Sequence, residues 1–150
     1  MNILIVDDNN VTIKLIKSFL ERFNHATHTA TTGIDAINLY IKNNYDLVFM
    51  DLNLPNMDGI TITKRMRAHS AREKFVPIVA ITAYSDHEHK EACFSAGMNN
   101  FLTKPIQQQQ LESILAKYSN TINPCEFLTP WYKSGANGKI RLVNKHKSYH

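Results

Sequence analysis

Asp46-Leu47-Val48-Phe49-Met50-Asp51-Leu52-Asn53-Leu54-Pro55-Asn56-Met57-Asp58-Gly59 is the stretch that decides the fold. Leu47 to Met50 is a continuous apolar run, the pattern of a strand buried on both faces inside a parallel sheet. The run halts at a carboxylate, Asp51. In an open α/β sheet the carboxyl ends of the central strands open into the crevice where ligands bind. Pro55 cannot continue a strand, and Asn56-Met57-Asp58-Gly59 turns the chain toward a helix. Asp51 therefore sits at the mouth of an apolar element, where a charge is tolerated and where function is usually found.

Upstream, residues 2–6 read as a short buried strand, followed by Asp7-Asp8-Asn9-Asn10. Val11, Leu15, Ile16, Phe19, Leu20 and Phe23 then recur at helical spacing. Asp8 or Asn9 can cap that helix by accepting from an orphan amide of its first turn, and Asn24 can close it. His25 to Thr31 is a weaker strand, with Ala26 and Thr29 where bulk is expected, which places it near a sheet edge. Gly33 to Asn43 is a second helix with Ile34, Ala36, Ile37 and Ile41 assigned to one side.

Downstream, Ile60, Ile62 and Met66 mark a third helix that ends near His69, with a polar loop after it. Pro77 to Ile81 is a buried strand halting at Thr82. A polar helix spans about Asp86 to Ala96, with Gly97 as its left-handed stop. Asn100 to Thr103 is a short strand before Lys104-Pro105, and Gln107 to Tyr118 is an amphipathic helix through Leu111, Ile114 and Leu115. Strand and helix alternate five times. That order specifies an α/β fold, a doubly wound five-stranded parallel sheet with five helices on its two faces.

With 150 residues and 43% hydrophobic content, the chain can build one domain with a real core. No apolar run approaches the roughly 20 residues of a membrane span. Met1-Asn2 leads straight into the first strand, without a basic region or cleavage site, so a cytoplasmic protein is expected. Cys93 and Cys125 fit no metal or redox spacing. The net charge of +4 is uneven, for 5 of the 17 Lys and Arg but only 1 of the 13 Asp and Glu fall in residues 119–150. A neutral body carries a basic tail, so nucleic-acid binding is not expected of the main domain.

Because all strands of a parallel sheet point the same way, the residues at their ends converge. The first strand ends in Asp7-Asp8, the third in Asp51, the fourth in Thr82 and the fifth in Lys104. Three carboxylates within a few ångströms repel strongly at low dielectric unless a divalent cation neutralises them. Oxygen ligands at a wet surface point to magnesium. A lysine and a hydroxyl opposite the metal suit phosphoryl oxygens. Together they describe phosphoryl transfer to an aspartate, with an acyl phosphate at Asp51 balanced by Mg2+ and Lys104 and a hydrogen bond from Thr82. His87-Glu88-His89 splits its histidines across a helix and reads as a solvated face.

Val6-Asp7-Asp8-Asn9, Met50 to Gly59, Ile81-Thr82-Ala83 and Leu102-Thr103-Lys104-Pro105 resemble the receiver domain of two-component response regulators. The resemblance covers about residues 1–118 with every motif in order, and the Leu-Thr-Lys-Pro-Ile segment looks most like receivers attached to hybrid kinases. It implies the CheY-like, flavodoxin-like strand order 2-1-3-4-5. It implies that Asp51 takes a phosphoryl group from a phosphohistidine on a sensor histidine kinase or a histidine phosphotransfer protein. Asp7, Asp8, Asp51 and the backbone carbonyl of Asn53 would hold the magnesium. Thr82 and Phe101 match the family's switch pair, although Phe101 lacks the hydroxyl of the commoner tyrosine. A downstream protein would read the face made by the fourth helix, fifth strand and fifth helix, and a homodimer through that face is left open. Such a domain is a phosphoacceptor, not an enzyme beyond self-dephosphorylation.

Residues 119–150 form a short basic C-terminal extension, too small for an output domain with its own core. Phe127 to Lys133 and Lys139 to Val143 flank Ser134-Gly135-Ala136-Asn137-Gly138, and Asn-Gly is a strong hairpin signal. A marginal hairpin or an extended arm is expected there, with Trp131 and Tyr132 packing on the receiver or on a partner. Nucleic acid or an acidic partner would be met only through this tail. Two other readings compete. A pseudo-receiver would bind partners without phosphorylation, but all five acceptor-site residues are present. A haloacid-dehalogenase-type (HAD-type) phosphatase wants a second aspartate two residues after the nucleophile, where this chain has Asn53.

Overall fold

The structure is a computed structural model that describes residues 1–69, 75–84 and 86–119, with the backbone of 132–134 and 140–142. Five strands, β1 (Asn2–Val6), β2 (Ala26–Ala30), β3 (Leu47–Asp51), β4 (Ile78–Thr82) and β5 (Asn100–Thr103), form one parallel sheet in the order β2-β1-β3-β4-β5. The helices between and after them are α1 (Asn10–Arg22), α2 (Gly33–Lys42), α3 (Gly59–His69), α4 (His87–Ala96) and α5 (Gln108–Ser119). The expected five-stranded flavodoxin-like sheet is the one observed. β2 is an edge strand, as its small residues required.

The pleat explains why the sheet needs helices on both faces. Successive strand residues point to opposite sides, so each fully apolar strand feeds two cores. Ile3, Ile5, Leu47, Phe49, Val79 and Ile81 pack with α1 and α5, against Ile16, Leu20, Leu111 and Ile114. Leu4, Val6, Val48, Met50, Ile78 and Ala80 pack on the other side with Ala36 and Tyr40 of α2, Ile62 and Met66 of α3, and Cys93 of α4.

Two helices present other faces than expected. In α1 the buried residues are Ile13, Ile16, Phe19 and Leu20, whereas Val11, Leu15 and Phe23 are exposed. A row of every fourth residue drifts by about 40° per step around a helix of 3.6 residues per turn, so Val11-Leu15-Phe19-Phe23 leaves the sheet at both ends. In α2, Ile34 and Ile41 are exposed, and the buried side is Gly33, Ala36 and Tyr40. Small residues there let the helix lie close: a Cβ on Gly33 would come 3.0 Å from the Ile62 side chain.

Helix ends follow local chemistry. Asn9 Oδ1 accepts from the Val11 amide, Thr32 caps α2 and Asp86 caps α4. Asn24 (φ 61°) follows the end of α1 and Gly97 (φ 104°) stops α4, both left-handed. Past the body, β6 (Tyr132–Ser134) pairs antiparallel with β7 (Ile140–Leu142). The expected packing of Trp131, and Cys125, lie outside the described residues.

Candidate phosphoacceptor site

Every residue that closes β1, β3 or β4, or follows β5, comes to the same end of the sheet. Asp7 follows β1, its amide donating to the Ala30 carbonyl at 3.1 Å. The Asp7 side chain is fully buried, and its Oδ1 accepts from the Asn9 amide at 2.8 Å. Asp51 is the last residue of β3, only 2% exposed, with Oδ1 accepting from the Asn53 amide at 3.1 Å. Asp8 is exposed beside them. One carboxylate oxygen from each of Asp7, Asp8 and Asp51 lies within 4.8 Å of the others.

Lys104 is delivered by β5. Its amide donates to the Thr82 carbonyl at 2.7 Å, extending the β4–β5 ladder by one residue, and the Lys104-Pro105 bond is cis. The Lys104 Nζ reaches 3.4 Å from Asp51 Oδ2 and 3.3 Å from Asp7 Oδ2. The contact to Asp51 is a hydrogen bond, whereas Asp7 Oδ2 is ion-paired without hydrogen-bond geometry. Burial pulls the Lys104 ammonium down, but the charges of Asp51 and Asp7 outweigh it and hold its pKa above the ordinary lysine value. Burial pushes the Asp7 carboxyl up to about 6; the Asn9 amide draws it back, and Asp51 adds repulsion that Lys104 partly offsets.

Thr82 ends β4, fully buried, with Oγ1 accepting from the Tyr84 amide at 3.0 Å. Its hydroxyl proton is left to be donated elsewhere. Phe101 pairs with Ala80 in the β4–β5 register and packs, partly buried, on the α2–α3–α4 side. The Lys90 ammonium stands 5.3 Å over its ring. Asn53 is exposed, and its amide rather than its carbonyl makes the contact to Asp51. His87 and His89 lie exposed on α4, engaged by Glu91 and Asp86.

Two contributors escaped the sequence reading. Gly59 opens α3 directly against the end of β3: a Cβ there would lie 2.4 Å from the Asp51 carbonyl oxygen. The Asp-Gly pair quoted at residues 58–59 is the signal that could have found it, but a turn and a close backbone approach look alike in sequence. Tyr84 holds the Thr82 oxygen through its main chain and stacks its ring on His89, 4.9 Å between centroids. No sequence signal marks a backbone donor.

Three carboxylates against one ammonium leave an excess of negative charge in a cleft with low-dielectric walls. A buried oxygen without a hydrogen-bond donor, Asp7 Oδ2, faces the same cluster. The donor set, all carboxylate oxygen with one side open to water, fits a hard divalent cation. The acidic cluster can bind a metal.

The description "Response regulator receiver domain" matches residues 3–116 of this sequence. The chain belongs to that family. Hybrid signal transduction histidine kinase F of Dictyostelium discoideum is 37% identical over 124 residues, covering 81% of this chain and 11% of that protein. The chain thus spans only about a tenth of the length of this relative. The receiver domain of a sensor histidine kinase from Pseudomonas aeruginosa PAO1, solved with a magnesium ion coordinated in its active-site cleft, superposes with a TM-score of 0.72 at 33% identity. That match covers 80% of this chain and 98% of the other. A chain of the Saccharomyces cerevisiae complex between the histidine phosphotransfer protein Ypd1 and the receiver domain of Ssk1 gives 0.75 at 29% identity, covering 83% and 94%. Receiver domains are phosphoacceptors in two-component and phosphorelay signalling rather than catalytic enzymes. Among the described residues no helix is long and apolar enough to cross a membrane.

Proposed function

We propose that Asp51 accepts a phosphoryl group from a phosphohistidine on a sensor histidine kinase or a histidine phosphotransfer protein, and that the phosphorylated domain changes a protein-binding surface. The observation that carries this reading is a nearly buried Asp51 carboxylate hydrogen-bonded to Lys104 Nζ at 3.4 Å, with Asp7 and Asp8 within 4.8 Å. An oxygen of Asp51 forms the new bond to phosphorus as the phosphorus–nitrogen bond breaks, and the leaving imidazole takes up a proton. Lys104 orients the acceptor carboxylate beforehand and then balances the charge of the product. Asp7, Asp8, Asp51 and the Asn53 carbonyl would hold Mg2+. The cation, when bound, neutralises charge on the transferring phosphoryl oxygens.

The Thr82 hydroxyl, its oxygen already engaged by the Tyr84 amide, donates to a phosphoryl oxygen, and Phe101 turns into the space that Thr82 leaves. The α4–β5–α5 face changes with it and is offered to a downstream protein or a second copy. Moving a two-state equilibrium from 1:99 to 99:1 takes about 5.5 kcal/mol. A few charge-assisted hydrogen bonds at about 1.5–3 kcal/mol each are of that size. In this reading residues 1–118 are the receiver, residues 119–150 a separate extension, and the domain works in the cytoplasm.

The test is phosphate incorporation from a small phosphodonor in wild type and Asp51→Asn, with magnesium and with chelator. Labelling is expected only in wild type with magnesium. Equal labelling of both proteins would end the proposal.

A further inference from the structure

We propose that Lys90 is a positioning residue of the switch: its ammonium holds the Phe101 ring where it lies and gives it up when the ring turns. The inference deepens the proposed function and rests on its reading of Thr82 and Phe101 as partners.

Phe101 has no hydroxyl, so no hydrogen bond can fix the orientation of its ring. Packing restrains it only in part. The side chain is partly buried, its neighbour across the β4–β5 ladder is the small Ala80, and β5 is the outer strand of the sheet. What the ring does offer is the negative face of its π-system.

Lys90 meets that face. Its Nζ stands 5.3 Å from the ring centroid, inside the roughly 6 Å at which a cation and an aromatic face attract. Lys90 is itself partly buried, and among the described residues no carboxylate is ion-paired with its ammonium. The helix gives no reason for a cation there. Lys90 closes the first turn of α4, its amide donating to the Asp86 carbonyl at 3.2 Å, and at that end the helix dipole disfavours positive charge.

The preceding residue makes the matching contact. His89 stacks on Tyr84 with 4.9 Å between centroids, and the Tyr84 amide holds Thr82 Oγ1. Adjacent residues of one helical turn thus reach both members of the switch pair, while the buried residues of α4, Cys93 and Ala96, lie farther along. Turning Phe101 into the space left by Thr82 draws its ring away from Lys90. A contact made in one state and absent from the other weights the equilibrium toward the first. Lys90 therefore favours the unphosphorylated arrangement, by about two- to fivefold for a pair at a partly exposed site.

Two variants test this in the full chain: Lys90→Met keeps most of the stem without the charge, and Lys90→Arg keeps the charge. Relaxation dispersion of the Phe101 ring carbons, without phosphodonor, reads the population of the ring's minor orientation. That population is expected to rise about two- to fivefold in Lys90→Met and to stay at the wild-type level in Lys90→Arg. An unchanged population in Lys90→Met, or an equal rise in Lys90→Arg, overturns the proposal whether or not Asp51 takes phosphate. The second readout is the concentration of a small phosphodonor that gives half-maximal labelling with magnesium. It should fall by the same factor in Lys90→Met, because the competent arrangement is more populated, and the difference should vanish in a Phe101→Leu background. A difference of equal size in that background means that Lys90 acts without the ring, and also overturns the proposal. Absence of labelling in every variant ends the phosphoacceptor reading, and the ring populations alone then decide whether Lys90 holds Phe101.

Discussion

Asp7 is the residue at which the site's electrostatics and the fold's stability oppose each other most directly. Its carboxyl is raised to about 6, chiefly by burial, whereas an aspartate in an unfolded chain titrates near 3.9. A folded value above the unfolded one means stability that is full below about pH 4 and is lost as pH rises through about 6. Asp7→Asn removes that loss. With chelator present, the melting temperature of the variant minus that of wild type should be near zero at pH 4 and reach a plateau above about pH 7. Each unit of pKa is worth about 1.4 kcal/mol, so the plateau should be on the order of several degrees. Calorimetric scans across pH check this, and a variant less stable than wild type at pH 7.5 would refute it. The positions of Asp7, Asp8, Asp51, Thr82 and Lys104 were legible in sequence because parallel strands put their carboxyl ends together. The Asp7 Oδ2 left without a hydrogen-bond donor and the Tyr84 amide on Thr82 were not, since the first depends on how distant segments pack and the second on a main-chain turn that any residue could make.

At the scale of elements, two contacts fix how the helices meet the sheet beneath the site. Gly59 is the first. The Asp58 side chain accepts from the Thr61 amide at 2.8 Å to cap α3, and the Gly59 amide donates to the Leu52 carbonyl at 3.0 Å. An added Cβ would meet the Asp51 carbonyl oxygen at 2.4 Å and the Leu52 Cα at 2.9 Å, both main chain. Gly59→Ala should therefore lower stability by roughly 1–3 kcal/mol and slow phosphate incorporation by displacing Asp51. Urea unfolding and labelling rates measure the two effects. The second contact is Arg67, which donates to the Gly97 and Val76 carbonyls and to Asn99 Oδ1, with Phe75 stacked 4.0 Å from its guanidinium. Arg67 joins α3 to the start of β4 and the end of α4. Burial lowers its pKa to about 10, so it stays charged at neutral pH. Arg67→Met should cost about 3 kcal/mol because buried acceptors lose their donor. Arg67→Lys should not restore the loss, having no planar fork. Sequence hid this role, since an arginine among Lys64, Arg65 and Arg67 reads as a solvated face. It also misassigned Val11, Leu15, Phe23, Ile34 and Ile41, because an apolar residue at helical spacing does not reveal whether the sheet reaches it. The strands β1, β3 and β4 were read correctly for the opposite reason: each is apolar on both sides, and only a sheet sandwiched by helices satisfies that.

Across the whole molecule, the acidic cluster couples stability to a cation. A ligand that binds only the folded state stabilises it by RT ln(1 + [L]/Kd), about 1.4 kcal/mol at a free concentration ten times Kd. Magnesium should therefore raise the melting temperature by a few degrees, and the gain should grow as pH rises through 6, because ligands must be deprotonated to bind. Asp8 is the residue that separates this response from the fold. It is exposed, whereas Asp7 and Asp51 are buried against Lys104. Asp8→Asn should thus leave the melting temperature in chelator within about 1 °C of wild type, as expected of an exposed substitution, yet abolish the rise on adding magnesium. Thermal scans of both proteins over a magnesium titration at pH 5 and pH 7.5 supply the comparison. An undiminished rise in Asp8→Asn would mean that the cation is held elsewhere, and the charge balance assigned to Asp51 and Lys104 would then need another counterion.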